Sequence, residues 1–202
     1  MHLLFVVVMS LLLRLAPALP FGGRKHMPRQ CPLAERDALV SLYNAANGAN
    51  WGIPWDVSSE SDPCLHEWYG VACDREGHVR TLELVGNNLV GTLASSFGRL
   101  PKLHTLNLSD NQLTGPLPGS FTALTRLKFV NLSANHFIGP FPKGVADWVH
   151  LTLLEISNND FDAPLPAEIE ALPQQKGVNL SMESYKCKTA TDKCRDYPGE
   201  VM

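Results

Sequence analysis

The stretch Leu103–Arg126, LHTLNLSDNQLTGPLPGSFTALTR, decides how this chain is read, because the residues around it repeat its pattern without a gap. Four blocks of 24 residues follow one another at 79–102, 103–126, 127–150 and 151–174. Each opens on an apolar residue (Val79, Leu103, Leu127, Leu151) and places a second three positions on (Leu82, Leu106, Val130, Leu154). A third comes two later (Leu84, Leu108, Leu132, Ile156), followed by Asn87, Asn111, Asn135 and Asn159, and then by Leu89, Leu113, Phe137 and Phe161. The second half of the block carries Gly91, Gly115 and Gly139, then Pro118, Pro142 and Pro166, and closes on Phe97, Phe121, Val145 and Ile169. Ala163 stands in place of a fourth Gly, and Ala94 in place of the first Pro. A fifth block begins at Gln175, keeps Val178 and Leu180, and has Glu183 where Asn is due, so it reads as a truncated last coil.

The L-x-L alternation has period two, which predicts a short strand with one buried face. One such coil cannot bury that face alone. Stacking coils sets strand beside strand in a parallel sheet and turns the leucines into a continuous core. The Asn falls where the chain leaves the strand, and its amide can satisfy backbone groups of its own coil and the next. Gly and Pro shape the return path through tight turns and polyproline-like segments.

These blocks resemble the plant-type leucine-rich repeat, L-x-x-L-x-L-x-x-N-x-L-x-G-x-L-P-x-x-F-x-x-L-x-x, which Leu103–Arg126 matches almost residue for residue. The resemblance implies an α/β solenoid: a right-handed superhelix with a short parallel β-sheet on its concave face, a helical N-terminal cap and disulfide caps. The flanks agree. Leu39, Leu42, Tyr43 and Ala46 fall at helical spacing, with Pro32 near the start, Glu35 and Asp37 in the first turn, and Asn47-Gly48 at the end. Trp51, Trp55 and Cys64-Leu65-His66-Glu67-Trp68-Tyr69-Gly70-Val71-Ala72-Cys73 then resemble the family's N-terminal cap, with extra residues between Cys64 and Trp68. Caps are needed because end coils would expose core to water.

The ends and the cysteines set the compartment. Leu3–Leu13 is apolar except for Ser10 and is followed by Ala16-Pro17-Ala18, the pattern of a cleaved secretory signal over 1–18. Spanning a bilayer takes about 20 apolar residues, more than this run holds. Residues 19–30 read as a flexible basic leader, 31–78 as the cap, 79–174 as four repeats, and 175–202 as a partial fifth repeat with a C-terminal cap. In an exported chain, Cys64 with Cys73 and Cys187 with Cys194 are the natural disulfide pairs, the second resembling the family's C-terminal cap. Cys31 is left over: a free thiol, an inter-chain partner, or a competitor for one of those pairs. Arg14, Arg24, Lys25 and Arg29 lie before residue 31, so the remainder holds 13 basic and 20 acidic side chains. So acidic a body excludes a generic nucleic-acid binder.

Residues that alternate with the buried leucines face outward. The expected concave ladder is Thr81, Glu83 and Val85; Thr105, Asn107 and Ser109; Phe129, Asn131 and Ser133; Leu153, Glu155 and Ser157; Gly177, Asn179 and Ser181. Phe129 and Leu153 form an apolar spot that polar groups surround, so the candidate partner-binding set is Glu83, Thr105, Asp110, Phe129, Asn131, Leu153 and Glu155. One Phe and one Leu on a surface also need no functional explanation. Sequons at Asn107, Asn131 and Asn179 are chemically open to glycosylation, with Asn and Ser both expected to face solvent, although N-L-S is also a common filling of this strand. His66, His78, His104, His136 and His150 fall at unrelated offsets. Asp56 with Asp62, and Asp160 with Asp162, are better explained as turn residues than as an acid–base pair. No catalytic residue, cofactor or metal is expected. The resemblance implies an extracellular protein or receptor ectodomain as partner, with no nucleic acid and no stable membrane insertion after signal cleavage. Within it, two roles compete: one similar to the short ectodomains of plant co-receptor kinases, the other similar to secreted inhibitors of cell-wall-degrading polygalacturonases. Binding a polysaccharide or a surface ranks below both, because it wants concave aromatics in series and only Phe129 fits.

Overall fold

The structure is a computed structural model that describes residues 29–162, 166–172 and 177–181. The signal segment, most of the leader and the Cys187–Cys194 pair fall outside the described residues. Helix α1 (Leu33–Ala45) starts after Pro32, whose missing N–H costs nothing at a helix start, and buries Ala38, Leu39 and Leu42. It ends before Asn47, which takes the left-handed conformation (φ 59°) that Asn tolerates better than most residues.

Beyond α1 the chain makes coils. Strand β1 (Val71–Cys73) pairs antiparallel with β2 (Val79–Glu83). The sheet then continues in parallel through Thr105–Asn107, Phe129–Asn131, Leu153–Glu155 and Asn179–Ser181. The intervening strands form a second, smaller parallel sheet on the return path: β3 (Val90–Gly91), β5 (Gln112–Gly115), β7 (His136–Gly139) and β9 (Asp160–Phe161). The concave strands are accordingly β4, β6, β8 and β10 in chain order. Reading Gly and Pro as turn formers did not anticipate this second sheet. The repeated prolines set up short helical turns instead. Pro118, Pro142 and Pro166 precede turns at Gly119–Ala123, Lys143–Asp147 and α2 (Ala167–Glu170), and Ala94 does the same for Ser95–Arg99.

The core runs the length of the coils. Leu106, Leu108, Leu113, Phe121 and Leu124 are all fully buried in the second coil, each worth about 1.5–3 kcal/mol when covered from both sides. Stacked rings continue it between coils, Phe97 on Phe121 at 6.2 Å and Phe137 on Phe161 at 5.9 Å.

The turn after each concave strand explains the Asn. Asn111 Oδ1 accepts from the N–H groups of Asn87 (3.1 Å) and Leu89 (2.9 Å), while its Nδ2 donates to the carbonyls of Leu84, Leu108 and Ser109. Asn135 and Asn159 bind Leu113 N–H and Phe137 N–H in the same way. Just before each Asn the chain passes through left-handed backbone, at Gly86, Asp110, Ala134 and Asn158.

The fifth coil departs from the sequence register. Asn179 sits beside Leu153, Leu180 beside Leu154 and Ser181 beside Glu155. Strict 24-residue spacing would have placed Val178 beside Leu154. The fourth coil is therefore two residues longer than the others, since Leu180 rather than Val178 follows Leu154. A slip of two keeps each side chain on its face, which a slip of one would not.

Candidate functional site

Two outward rows cross the concave sheet. Register aligns Thr81, Thr105, Phe129, Leu153 and Asn179 in one row, and Glu83, Asn107, Asn131, Glu155 and Ser181 in the other. Neighbouring strands are about 4.8 Å apart, so residues in a row are immediate neighbours. Phe129 is 48% exposed and lies between Thr105 and the half-buried Leu153. Glu83 is exposed, Asn131 and Glu155 are half-buried, and Asp110 stands exposed on its left-handed turn. The residues that precede Thr81, Thr105 and Phe129 are Arg80, His104 and Lys128. Arg80 bonds Asp74 through Nε at 2.7 Å and approaches the His104 ring at 3.4 Å, and Lys128 is exposed in the next coil. Because Arg80 is ion-paired with Asp74, Lys128 is the exposed cation at this edge of the face, while Glu83, Asp110 and Glu155 carry negative charge across it.

Two members of the expected ladder are not on the surface. Ser109 and Ser157 are only 5% and 6% exposed, because the chain has already begun its turn there and the alternation has lapsed. This also corrects the reading of the sequons. Asn107 Oδ1 accepts from Ser109 N–H (3.1 Å) and Oγ–H (2.9 Å), and Asn131 Oδ1 accepts likewise from Ser133. In these two sequons the Asn and Ser are thus bonded to each other rather than both turned to solvent, whereas Asn179 is exposed.

The cap holds side chains that periodicity does not reveal. Glu35, 2% exposed, receives Val79 N–H at 2.8 Å and pairs with His78 Nδ1 at 2.6 Å, which pins α1 to β2. Asp62, 3% exposed, receives the N–H groups of Cys31, Cys64 and Leu65. Cys64 and Cys73 form a disulfide with Cα atoms 5.6 Å apart. Cys31 is buried and makes no disulfide among the described residues. Burial pushes its thiol up to about 12, helped by the Glu35 and Asp62 charges. Trp51, Trp55 and Trp68 are buried in a ring cluster with Tyr43, with Trp51–Trp55 centroids 4.8 Å apart and Trp55–Trp68 5.0 Å apart. Beside them a groove of about 580 Å³ opens to solvent. Among the described residues no group of three or more His, Cys, Asp or Glu side chains could hold a metal.

The repeats and cap define a class. Residues 77–137 match the leucine rich repeat family model, and residues 32–74 match the leucine rich repeat N-terminal domain. This chain is a leucine-rich-repeat protein. It is similar to MDIS1-interacting receptor like kinase 1 of Arabidopsis thaliana, 34% identical over 70 residues, which are 34% of this chain and 7% of that protein. Among solved structures it resembles a plant ice-binding protein (27% identity, TM-score 0.66, covering 79% of this chain and 50% of that one). It also resembles the BIR2 ectodomain from Arabidopsis thaliana (25% identity, TM-score 0.60, covering 71% and 76%).

Proposed function

We propose that this chain is an extracellular recognition protein whose concave sheet binds another protein. The observation that carries the proposal is Phe129, half-exposed on a concave strand beside Leu153 and Thr105, with the polar groups of Glu83, Asn131 and Glu155 in the neighbouring row. Aromatic anchors inside a polar rim supply most of the energy in typical interfaces, and opposed charges set the partner's orientation. Two other observations favour a protein partner. The relative's name states that it interacts with MDIS1, and the fold is shared with the BIR2 ectodomain. The apolar run at Leu3–Leu13 supports export.

The test is affinity capture with the secreted protein, identification of the captured protein, and titration of that protein with a Phe129→Ser, Leu153→Ser double variant. Loss of at least tenfold in affinity is expected, since losing one hot-spot residue costs about 2 kcal/mol or more. Unchanged affinity in a folded double variant refutes the assignment. If the captured protein is a cell-wall-degrading hydrolase and its activity falls on binding, the role is that of an inhibitor. The likeness to an ice-binding protein favours a second reading, binding of a solid surface. A periodic solid asks for the same side chain in each coil, whereas the exposed residues of the second sheet are Gln112 and Thr114 in one coil and His136 and Ile138 in the next. The protein reading is therefore preferred.

A further inference from the structure

The groove on the N-terminal cap has a composition unlike the concave face. Its floor is Trp55, Trp68 and Ser61, all buried, and the floor is stiff: Trp68 Nε1 donates to Ser61 Oγ at 2.8 Å and Trp55 Nε1 to Tyr69 O at 2.9 Å. Its exposed apolar residues are Ile53 and Tyr69, 48% and 41% exposed, with Pro54 beside them. Ile53 is bolted to the repeats, because its N–H donates to Asn87 Oδ1 at 2.7 Å. Three exposed carboxylates, Asp56, Glu60 and Glu67, complete the lining. Asp56 accepts from Ser58 N–H, whereas Glu60 and Glu67 make no ion pair among the described residues. Bonds from Ser58, helped by the Arg36 charge, hold the Asp56 carboxyl below the usual carboxylate range, and neither Glu60 nor Glu67 has such a cation paired with it among the described residues. His66 lines the groove with Nδ1 accepting from Asp62 N–H. Arg36 spends its guanidinium on the carbonyls of Val57, Ser58 and Ser61, against the Trp68 ring.

From this charge complementarity and the apolar wall, we propose that the cap groove is a second binding site, which takes a basic segment of a protein partner, a Lys or Arg flanked by an aliphatic or aromatic residue. The cation lies among Asp56, Glu60 and Glu67 while the flanking apolar group covers Ile53 and Tyr69. Long cationic side chains suit such a place, since the stem packs on apolar surface and the head reaches the carboxylates. The proposal does not rest on the concave-face reading and stands or falls without it.

The probe is a synthetic eight-residue peptide alternating Lys with Leu and Tyr, with Glu replacing every Lys in a matched control. The full secreted protein is titrated with each, and binding is read calorimetrically and from tryptophan fluorescence. Saturable binding of the basic peptide alone is expected, weakening with added salt. A Glu60→Gln, Glu67→Gly double variant is expected to bind at least tenfold more weakly. Its fold is safe, because Glu60 is exposed and Glu67 occupies left-handed backbone (φ 47°) that Gly adopts more easily. A Phe129→Ser variant is expected to bind the peptide as the parent does. The proposal is overturned by absence of saturable binding, by equal binding of the acidic control, or by undiminished binding to the double variant. A signal that follows the protein's own concentration assigns the groove to a second copy and also overturns it.

Discussion

Replacing Asn111 by Ala tests how the turns hold the solenoid together, because the structure lets the cost be counted bond by bond. Asn87 N–H and Leu89 N–H are bonded to Asn111 Oδ1, and Leu84 O to its Nδ2. The other two carbonyls it serves keep a second donor, Asn135 Nδ2 at Leu108 O and Gly86 N–H at Ser109 O. Three buried groups therefore lose their partners. At about 1 kcal/mol or more each, the loss is about 3–5 kcal/mol, a large share of a typical domain's stability. Asn135→Ala is the internal control. Leu113 N–H loses its partner, but Leu108 O keeps Asn111 Nδ2, Leu132 O keeps Asn159 Nδ2, and Ser133 O keeps Asp110 N–H. One orphaned group costs about 1–2 kcal/mol. In urea, with a slope of about 2 kcal/mol/M, the two variants should unfold with midpoints separated by about 1 M, Asn111→Ala the lower. Midpoints that coincide would refute the bond count and leave the Asn as mere helpers of turn geometry.

Other outcomes follow from single residues. Asp74 is partly desolvated, which opposes its charge, but bonds from His78 N–H and Arg80 Nε and the Arg80 charge outweigh this and hold its carboxyl below the usual carboxylate range. A depressed carboxylate stabilises the fold above its unfolded pKa and ceases to do so as pH falls through the folded value. Asp74→Asn should therefore lower the melting temperature at pH 7 and flatten its decline in acid, and parallel acid limbs would count against this. The Cys31 thiol, buried and pushed up to about 12, should resist alkylation at pH 8 in the folded protein and react once unfolded; rapid native labelling of the Cys31 peptide would contradict its burial. Ala134 holds left-handed backbone (φ 52°) at a strain of about 1–2 kcal/mol, so Ala134→Gly should stabilise by about 0.5–1 kcal/mol after the entropy of Gly is subtracted. Gly86→Ala, at the equivalent turn with open space around the new methyl, should destabilise by about 1 kcal/mol, and matching signs for the two variants would be evidence against the strain argument.

What repeats was legible and what does not repeat was hidden. The leucines of each block and the Asn at its turn could be placed from spacing alone, since every coil solves the same burial problem. Alternation also set Phe129 and Leu153 side by side, as the strands now do. It failed at Ser109 and Ser157, where the backbone leaves the strand before the pattern ends. The cap has no period to read. Glu35 meets Val79 across 44 residues and Asp62 meets Cys31 across 31, and buried carboxylates clasping backbone N–H groups look in sequence like ordinary helix-start and turn acids. The groove escaped notice for the same reason: its carboxylates belong to loops whose shape comes from the Trp cluster, not from neighbouring residues.

The longer fourth coil changes what Asn179 would do. With strict 24-residue spacing, Asn107, Asn131 and Asn179 would be linked through Glu155 in one row, and glycans on them would shield a band beside Phe129. The observed register moves Asn179 into the other row, next to Leu153 and two strands from Phe129. A glycan attached there would border the apolar patch directly and close it from the C-terminal side. Glycans on Asn107 or Asn131 would lie beside the patch instead, on amides whose oxygens the following Ser residues already hold. Of the three sequons, Asn179 is therefore the one whose occupancy decides from which end a partner reaches Phe129. With it occupied, approach is left open from the N-terminal cap, where the acidic groove lies. A single Asn179→Gln variant that raises partner affinity only in glycosylating hosts would establish this; equal affinity in both kinds of host would remove the glycan from the argument.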